Sequence, residues 1–173
     1  MAVVFCCVLV LFISNDLRLF SIFAFCFLLL VMGRILAIDY GVKRCGVAVT
    51  DENRIIATGL ATVESSQLIA FLQDYCRREP VDVFVVGEAK HMDNTPSQSA
   101  QYIEPFVKSL SKLFPDKKVA RIDERFTSKM AFQAMIDGGL KKKQRQNKAL
   151  IDTVSATLIL QNYMSQLQHG VAN

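Results

Sequence analysis

The chain is expected to fold as a single α/β domain: a five-stranded mixed sheet, its first three strands antiparallel, flanked by helices. Three observations predict it. Short polar links join three β-like runs between residues 34 and 62, and links that short make hairpins. Two later β-like runs, near 81–86 and 118–123, each follow a helical pattern, as crossover connections require. Finally, 173 residues suffice for one core of ordinary size and not for two.

The elements follow in order. Arg34 to Asp39 is a short apolar strand, and Cys45 to Thr50 a second, joined by the tight Tyr40–Arg44 connection. Asp51–Arg54 reads as a polar turn and Ile55 to Thr62 as the third strand. Ser65-Ser66 offers an N-cap, after which Leu68, Ile69, Phe71, Leu72 and Tyr75 form one helical stripe ending before Glu79-Pro80. Val81 to Val86 is nearly all apolar, as in a strand covered on both faces. A loop, GEAKHMDNTPS, leads to Thr95-Pro96, a cap followed by proline at the first helical position, and that helix should stop at Pro115. Pro105 inside it predicts a kink or a late start. Lys118 to Asp123 forms the fifth strand, Thr127-Ser128 caps a helix that Gly138-Gly139 closes, and LKKKQRQNK is a basic loop. An amphipathic helix from about Lys148 to Leu167, with Asp152 in its first turn, ends the domain. This is the element order of the ribonuclease H-like fold, although an order of elements does not by itself fix a function.

Residues 1–31 stand apart as an apolar leader before the domain at 32–173. Two apolar runs of 13 residues flank a polar island with Asp16 and Arg18, and each is shorter than the roughly 18 to 20 residues of a spanning helix. Met32 directly precedes the first strand, so translation is expected to begin there; a membrane anchor is the alternative, with a cleaved signal third. Only Cys45 and Cys76 belong to the domain, without CxxC spacing, which points to small core residues and to the cytoplasm, with no membrane role for 32–173. Charge is unevenly spread. Between Arg121 and Lys148 eight Lys or Arg face three acids, so the net +4 of the chain leaves −1 elsewhere. A cationic end on a near-neutral body suits nucleic acid, though a solvated basic loop would look the same.

Three acids fall where elements stop: Asp39 ends the first strand, Glu124 follows the fifth, and Asp152 opens the last helix. Ser155 and Ala156, one turn on, are small enough to let that helix press against the sheet. Carboxylates held close repel one another unless a proton or cation neutralises them. Oxygen ligands of this kind suit Mg²⁺ or Mn²⁺, and a two-metal site about 3.5–4 Å across would activate water and stabilise the leaving oxygen of a phosphodiester. Each acid also has a structural reading: Asp39 capping the turn at Gly41, Asp152 favouring a helix N-terminus, Glu124 pairing with Arg121 or Arg125. Those readings compete poorly together, since they require three accidents on one side of one sheet.

Residues 33–165 resemble the YqgF family, also called RuvX-like, whose members are related to Holliday junction resolvases and assigned to maturation of the 5′ end of pre-16S rRNA. AIDYGVKRCGVAV is similar to its first-strand signature, VDVFVVG to its fourth strand, DERFTS to its D-E-R segment and IDTVSATLILQNY to its closing helix. The resemblance implies that Asp39, Glu124 and Asp152 are catalytic and metal-binding and that Lys43 and Arg44 lie near the scissile phosphate. Departures are Gly87-Glu88-Ala89 in place of a G-L-P-like segment, and His91-Met92-Asp93 where the family has N-M-D-G. Glu88 is either an extra ligand or, the favoured reading, a solvent-facing loop residue.

The expected activity is metal-dependent endonucleolytic hydrolysis of structured RNA, with precursor rRNA as substrate and the ribosome as a further partner. Lys43, Arg44, Arg125, Lys141, Lys142, Lys143, Arg145 and Lys148 would hold the backbone, contacts that position a strand without reading its sequence. Arg44 and Lys43 are read as phosphate contacts and not as partners of Asp39, and Gly41 and Gly46 as bare backbone where a nucleic-acid strand approaches. Branched DNA is the nearest alternative substrate, and a non-catalytic assembly factor the alternative of another class. An actin-like ATPase also opens on a D-x-G turn, but the chain is too short for two lobes.

Overall fold

The computed structural model describes residues 32–88, 100–123, 127–139, 141–142 and 146–170. Expectations for the 1–31 leader, the loop with His91, the Thr95-Pro96 cap, Glu124, Arg125, Lys143 and Arg145 lie outside these residues. The strands are β1 (Arg34–Asp39), β2 (Arg44–Thr50), β3 (Ala57–Glu64), β4 (Val81–Glu88) and β5 (Lys118–Asp123). The helices are α1 (Leu68–Arg78), α2 (Ala100–Leu113), α3 (Thr127–Asp137) and α4 (Lys148–Gln168). The sheet order is β3-β2-β1-β4-β5. As the short links predict, β1, β2 and β3 pair antiparallel, while β4 joins β1 and β5 joins β4 in parallel.

Strand alternation divides the core in two. Leu36, Ile38, Val47, Phe84 and Val86 face α1 and α2, packing with Leu72 and Leu110. Ile35, Ala37, Ala48, Val85 and Ile122 face the other way and are covered by Ala156, Ile159 and Leu160 of α4. The small residues Ala37 and Ala48 on this second face let α4 lie close to β1 and β2. Burying each of the fully enclosed Leu and Ile side chains contributes on the order of 2 kcal/mol. Cys45 is buried and Cys76 half-buried, both free, in keeping with the core role expected of them. Among the described residues no helix is long and apolar enough to cross a membrane.

Three local expectations need correction. The third strand begins at Ala57, not Ile55, because Asp51 Oδ1 accepts from the backbone N–H groups of Ile55 and Ile56, at 2.7 Å each, and commits both to the turn. Arg54, at φ 56°, completes that turn, and the two isoleucines stay exposed. Ser65 does not cap α1, whose N-cap is Gln67 without a side-chain bond. Instead Ser65 Oγ donates to the Gly41 carbonyl at 2.6 Å and its N–H to the Lys43 carbonyl at 3.2 Å, pinning the β1–β2 turn. Pro105 lies inside α2, as expected, and the helix continues to Leu113. Asp152 is the fifth residue of α4 and lies outside its first turn; Asn147 is the cap, accepting from the Ala149 N–H at 3.1 Å. Asp152 is thereby free of a capping role and projects from the helix side. At the end of α3, Gly139 adopts φ 74° and its N–H reaches the Ile136 carbonyl, the expected stop.

Candidate functional site

The site is assembled on one row across the sheet. Asp39, the last residue of β1, stands opposite Gly46 of β2, which in turn stands opposite Thr62 of β3. The start of α4 crosses this row. At Gly46 the helix backbone comes so near that a Cβ would overlap the Asp152 carbonyl. Thr62 Oγ1 donates to the Ala149 carbonyl at 2.6 Å and lies 2.8 Å from Thr153 Oγ1, fixing the helix beside Gly46. Gly46 is therefore bare for the sake of α4, and not for an approaching nucleic-acid strand. Gly41 is corrected likewise: a side chain there would strike the Arg44 carbonyl within the same turn.

This packing brings Asp39 and Asp152 together. Burial, and then the charge of Asp152, push the Asp39 carboxyl up from 3.8 to about 6, while a hydrogen bond donated by the Ser155 hydroxyl partly offsets the rise. Ser155 itself is buried, 2 % exposed. Asp152 has a different neighbour. Arg44 Nε donates to its Oδ2 at 3.0 Å, and both side chains reach solvent. Arg44 was read as a phosphate contact; it avoids Asp39 as expected but pairs with the second acid. Lys43 is exposed in the adjoining turn and makes no ion pair among the described residues.

Of the other residues singled out, Lys148 begins α4, and Lys141 and Lys142 are exposed beyond α3. Glu88 is the last residue of β4, in register with Asp123. Because Val85 faces α4 and Val86 the opposite side, alternation puts Glu88 on the face away from Asp39. That placement favours the non-ligand reading of Glu88. Among the described residues no three His, Cys, Asp or Glu side chains cluster, so the site seen here is a carboxylate pair. Sequence reasoning missed Ser155 as a partner of Asp39, although its spacing of three from Asp152 puts both on one helix face.

The shift at Asp39 has a measurable consequence. Its folded pKa lies above the unfolded one, so between about 4 and 6 the native state binds more protons and stability falls as pH rises. The loss is absent below the unfolded value and complete above about 6, where it amounts to about 3 kcal/mol. Urea unfolding of metal-free wild type and Asp39→Asn across this range checks it: the variant gains stability relative to wild type as pH rises, whereas a constant difference would contradict the geometry.

Comparison with known proteins gives the chain its relatives. A family model described as "RuvX: Holliday junction resolvase" matches residues 33–166. A protein of Flavobacterium psychrophilum named "Putative pre-16S rRNA nuclease" is 59% identical over 135 residues, 78% of this chain and 98% of the relative. One of the same name from Phocaeicola vulgatus is 56% identical over 138 residues, covering 80% and 99%. Among solved structures, T. thermophilus RuvC in complex with Holliday junction substrate aligns with a TM-score of 0.52 at 18% identity, over 82% of this chain and 98% of that one. At that identity the likeness speaks for the shared ribonuclease H-like fold alone. The match across nearly all of the described domain, together with relatives more than half identical, makes this chain a member of the RuvX family.

Proposed function

We propose that the protein is a metal-dependent endonuclease that hydrolyses phosphodiester bonds in the 5′ region of precursor 16S rRNA. The observation that carries this reading is the pairing of Asp39 with Asp152 against Gly46, where burial and the charge of Asp152 oppose ionisation of Asp39. Oxygen donors in that state fit a hard divalent cation, Mg²⁺ or Mn²⁺, with Glu124 as the third ligand. A cation held there supplies Lewis-acid activation of water and neutralises charge on the leaving oxygen.

The chain's own residues do the rest. Ser155 orients the Asp39 carboxylate, and Ser65 holds the turn that carries Lys43 and Arg44. Those two cations, with Arg125 and the Lys141–Lys148 segment, bind successive phosphates and bring one to the acids. Relatives named for pre-16S rRNA support RNA as substrate; on this reading the protein works in the cytoplasm, with the assembling ribosome as its setting. A second reading, cleavage of branched DNA, is favoured by the family description. The deciding experiment offers purified protein precursor rRNA and a four-way DNA junction in parallel, with and without Mn²⁺. Mn²⁺-dependent cleavage of the rRNA alone is expected. Cleavage of the junction alone would transfer the activity to DNA, and binding without cleavage of either would leave an assembly factor.

A further inference from the structure

We propose that Arg44 is a resident counter-ion for Asp152: it occupies the carboxylate while no nucleic acid is bound and releases it when a phosphate takes the guanidinium. Metal and nucleic acid then bind cooperatively. This rests on the reading of Asp39 and Asp152 as metal ligands.

The two acids are unequally served. Among the described residues Asp39 makes no ion pair, whereas Asp152 Oδ2 accepts from Arg44 Nε at 3.0 Å. The contact is single-ended. Only Nε is engaged, and among the described residues neither Nη of Arg44 carries a hydrogen bond. The paired Nη edge is the part of a guanidinium that grips a phosphate through two parallel bonds. The side chain is 42% exposed, so the guanidinium is not enclosed by the described residues.

Electrostatics then couples the two ligands. A guanidinium and a divalent cation on one carboxylate repel each other, so the metal must either displace Arg44 or bind beside it at reduced affinity. A phosphate on the Nη edge removes that opposition by neutralising the guanidinium and drawing it outward. By thermodynamic reciprocity, whatever factor the nucleic acid adds to metal affinity, the metal adds to nucleic-acid affinity. The chain would accordingly hold little metal until substrate arrives. Arg44 acts here through Asp152, as a positioning residue.

Calorimetric titration of the full chain with Mn²⁺, alone and with a short RNA duplex checked by gel to stay intact, tests the coupling. Arg44→Gln should bind Mn²⁺ about three- to tenfold more tightly than wild type without RNA, given the modest strength of half-exposed ion pairs. Adding RNA should tighten Mn²⁺ binding to wild type by a similar factor and leave Arg44→Gln unchanged. Melting curves confirm that the variants are folded. If Asp152→Asn removes Mn²⁺ binding while Arg44→Gln leaves it equal or weaker, the counter-ion role is wrong and the metal site stands. If Mn²⁺ binding survives in both Asp39→Asn and Asp152→Asn, the metal site itself is wrong, and the inference goes with it.

Discussion

Asp39→Asn is expected to lower the rate of phosphodiester cleavage by about a hundred- to a thousandfold and, at neutral pH, to leave a protein more stable than wild type. Both effects have one origin. The carboxylate is held where burial and Asp152 oppose its ionisation, so replacing it with a neutral amide of the same shape relieves a cost near 3 kcal/mol in the metal-free protein. The same replacement removes an anionic oxygen from the cation site, and losing one preorganised charge at a reacting centre costs on the order of 10²- to 10³-fold even where the rest survives. Initial rates on precursor rRNA, measured beside urea unfolding at pH 7, check the pair. Activity that vanishes while the unfolding midpoint rises cannot be ascribed to misfolding; activity within tenfold of wild type would remove Asp39 from the chemistry.

Gly46→Ala is expected to cost about 3 kcal/mol of stability and to depress activity beyond what that loss explains. A methyl group there meets the backbone of α4, the Asp152 carbonyl and the N–H of Thr153 at 3.1 Å, and a helix backbone cannot turn aside as a side-chain tip can. The helix has to lift. Lifting it separates Asp152 from Asp39 and strains the Thr62 bonds to Ala149 and Thr153. Relief of the mutual repulsion would lower the Asp39 pKa, so the pH dependence of stability in Gly46→Ala should be shallower than in wild type. Gly33→Ala is the control. The nearest atoms its methyl would meet belong to the Asp82 carboxylate, a half-exposed side-chain end and not helix backbone, although that carboxylate also accepts from the Gly33 N–H. Equal losses in the two variants would show that close approach at Gly46 is not what aligns the acids.

Much of this arrangement was legible in the sequence, for identifiable reasons. Strand order and direction followed from link lengths, which admit hairpins for β1 to β3 and crossovers after them. Asp39 stood out because charge at the end of an apolar strand is costly without a use, and Asp152 because it falls near the start of the last helix. What was misread depended on contacts between distant segments. Nothing local says that Ser65 turns back to Gly41, or that Asp51 gathers the N–H groups of Ile55 and Ile56 and delays β3. Gly46 was recognised as a place of close approach, but the approaching body is a helix of the same chain. Arg44 was recognised as a cation near the acids, yet its partner lies 108 residues away in the sequence.

That separation bears on when the protein becomes active. Arg44 and Asp39 leave the ribosome early in synthesis, whereas α4, which carries Asp152 and covers one whole face of the sheet, is made last. Contacts so distant in sequence form late, after the loops between them have closed. A nascent chain that has not yet released α4 lacks Asp152 and leaves one apolar face of the sheet uncovered. The pairing of Asp39 with Asp152 is thus complete only once the last helix has been made and has docked.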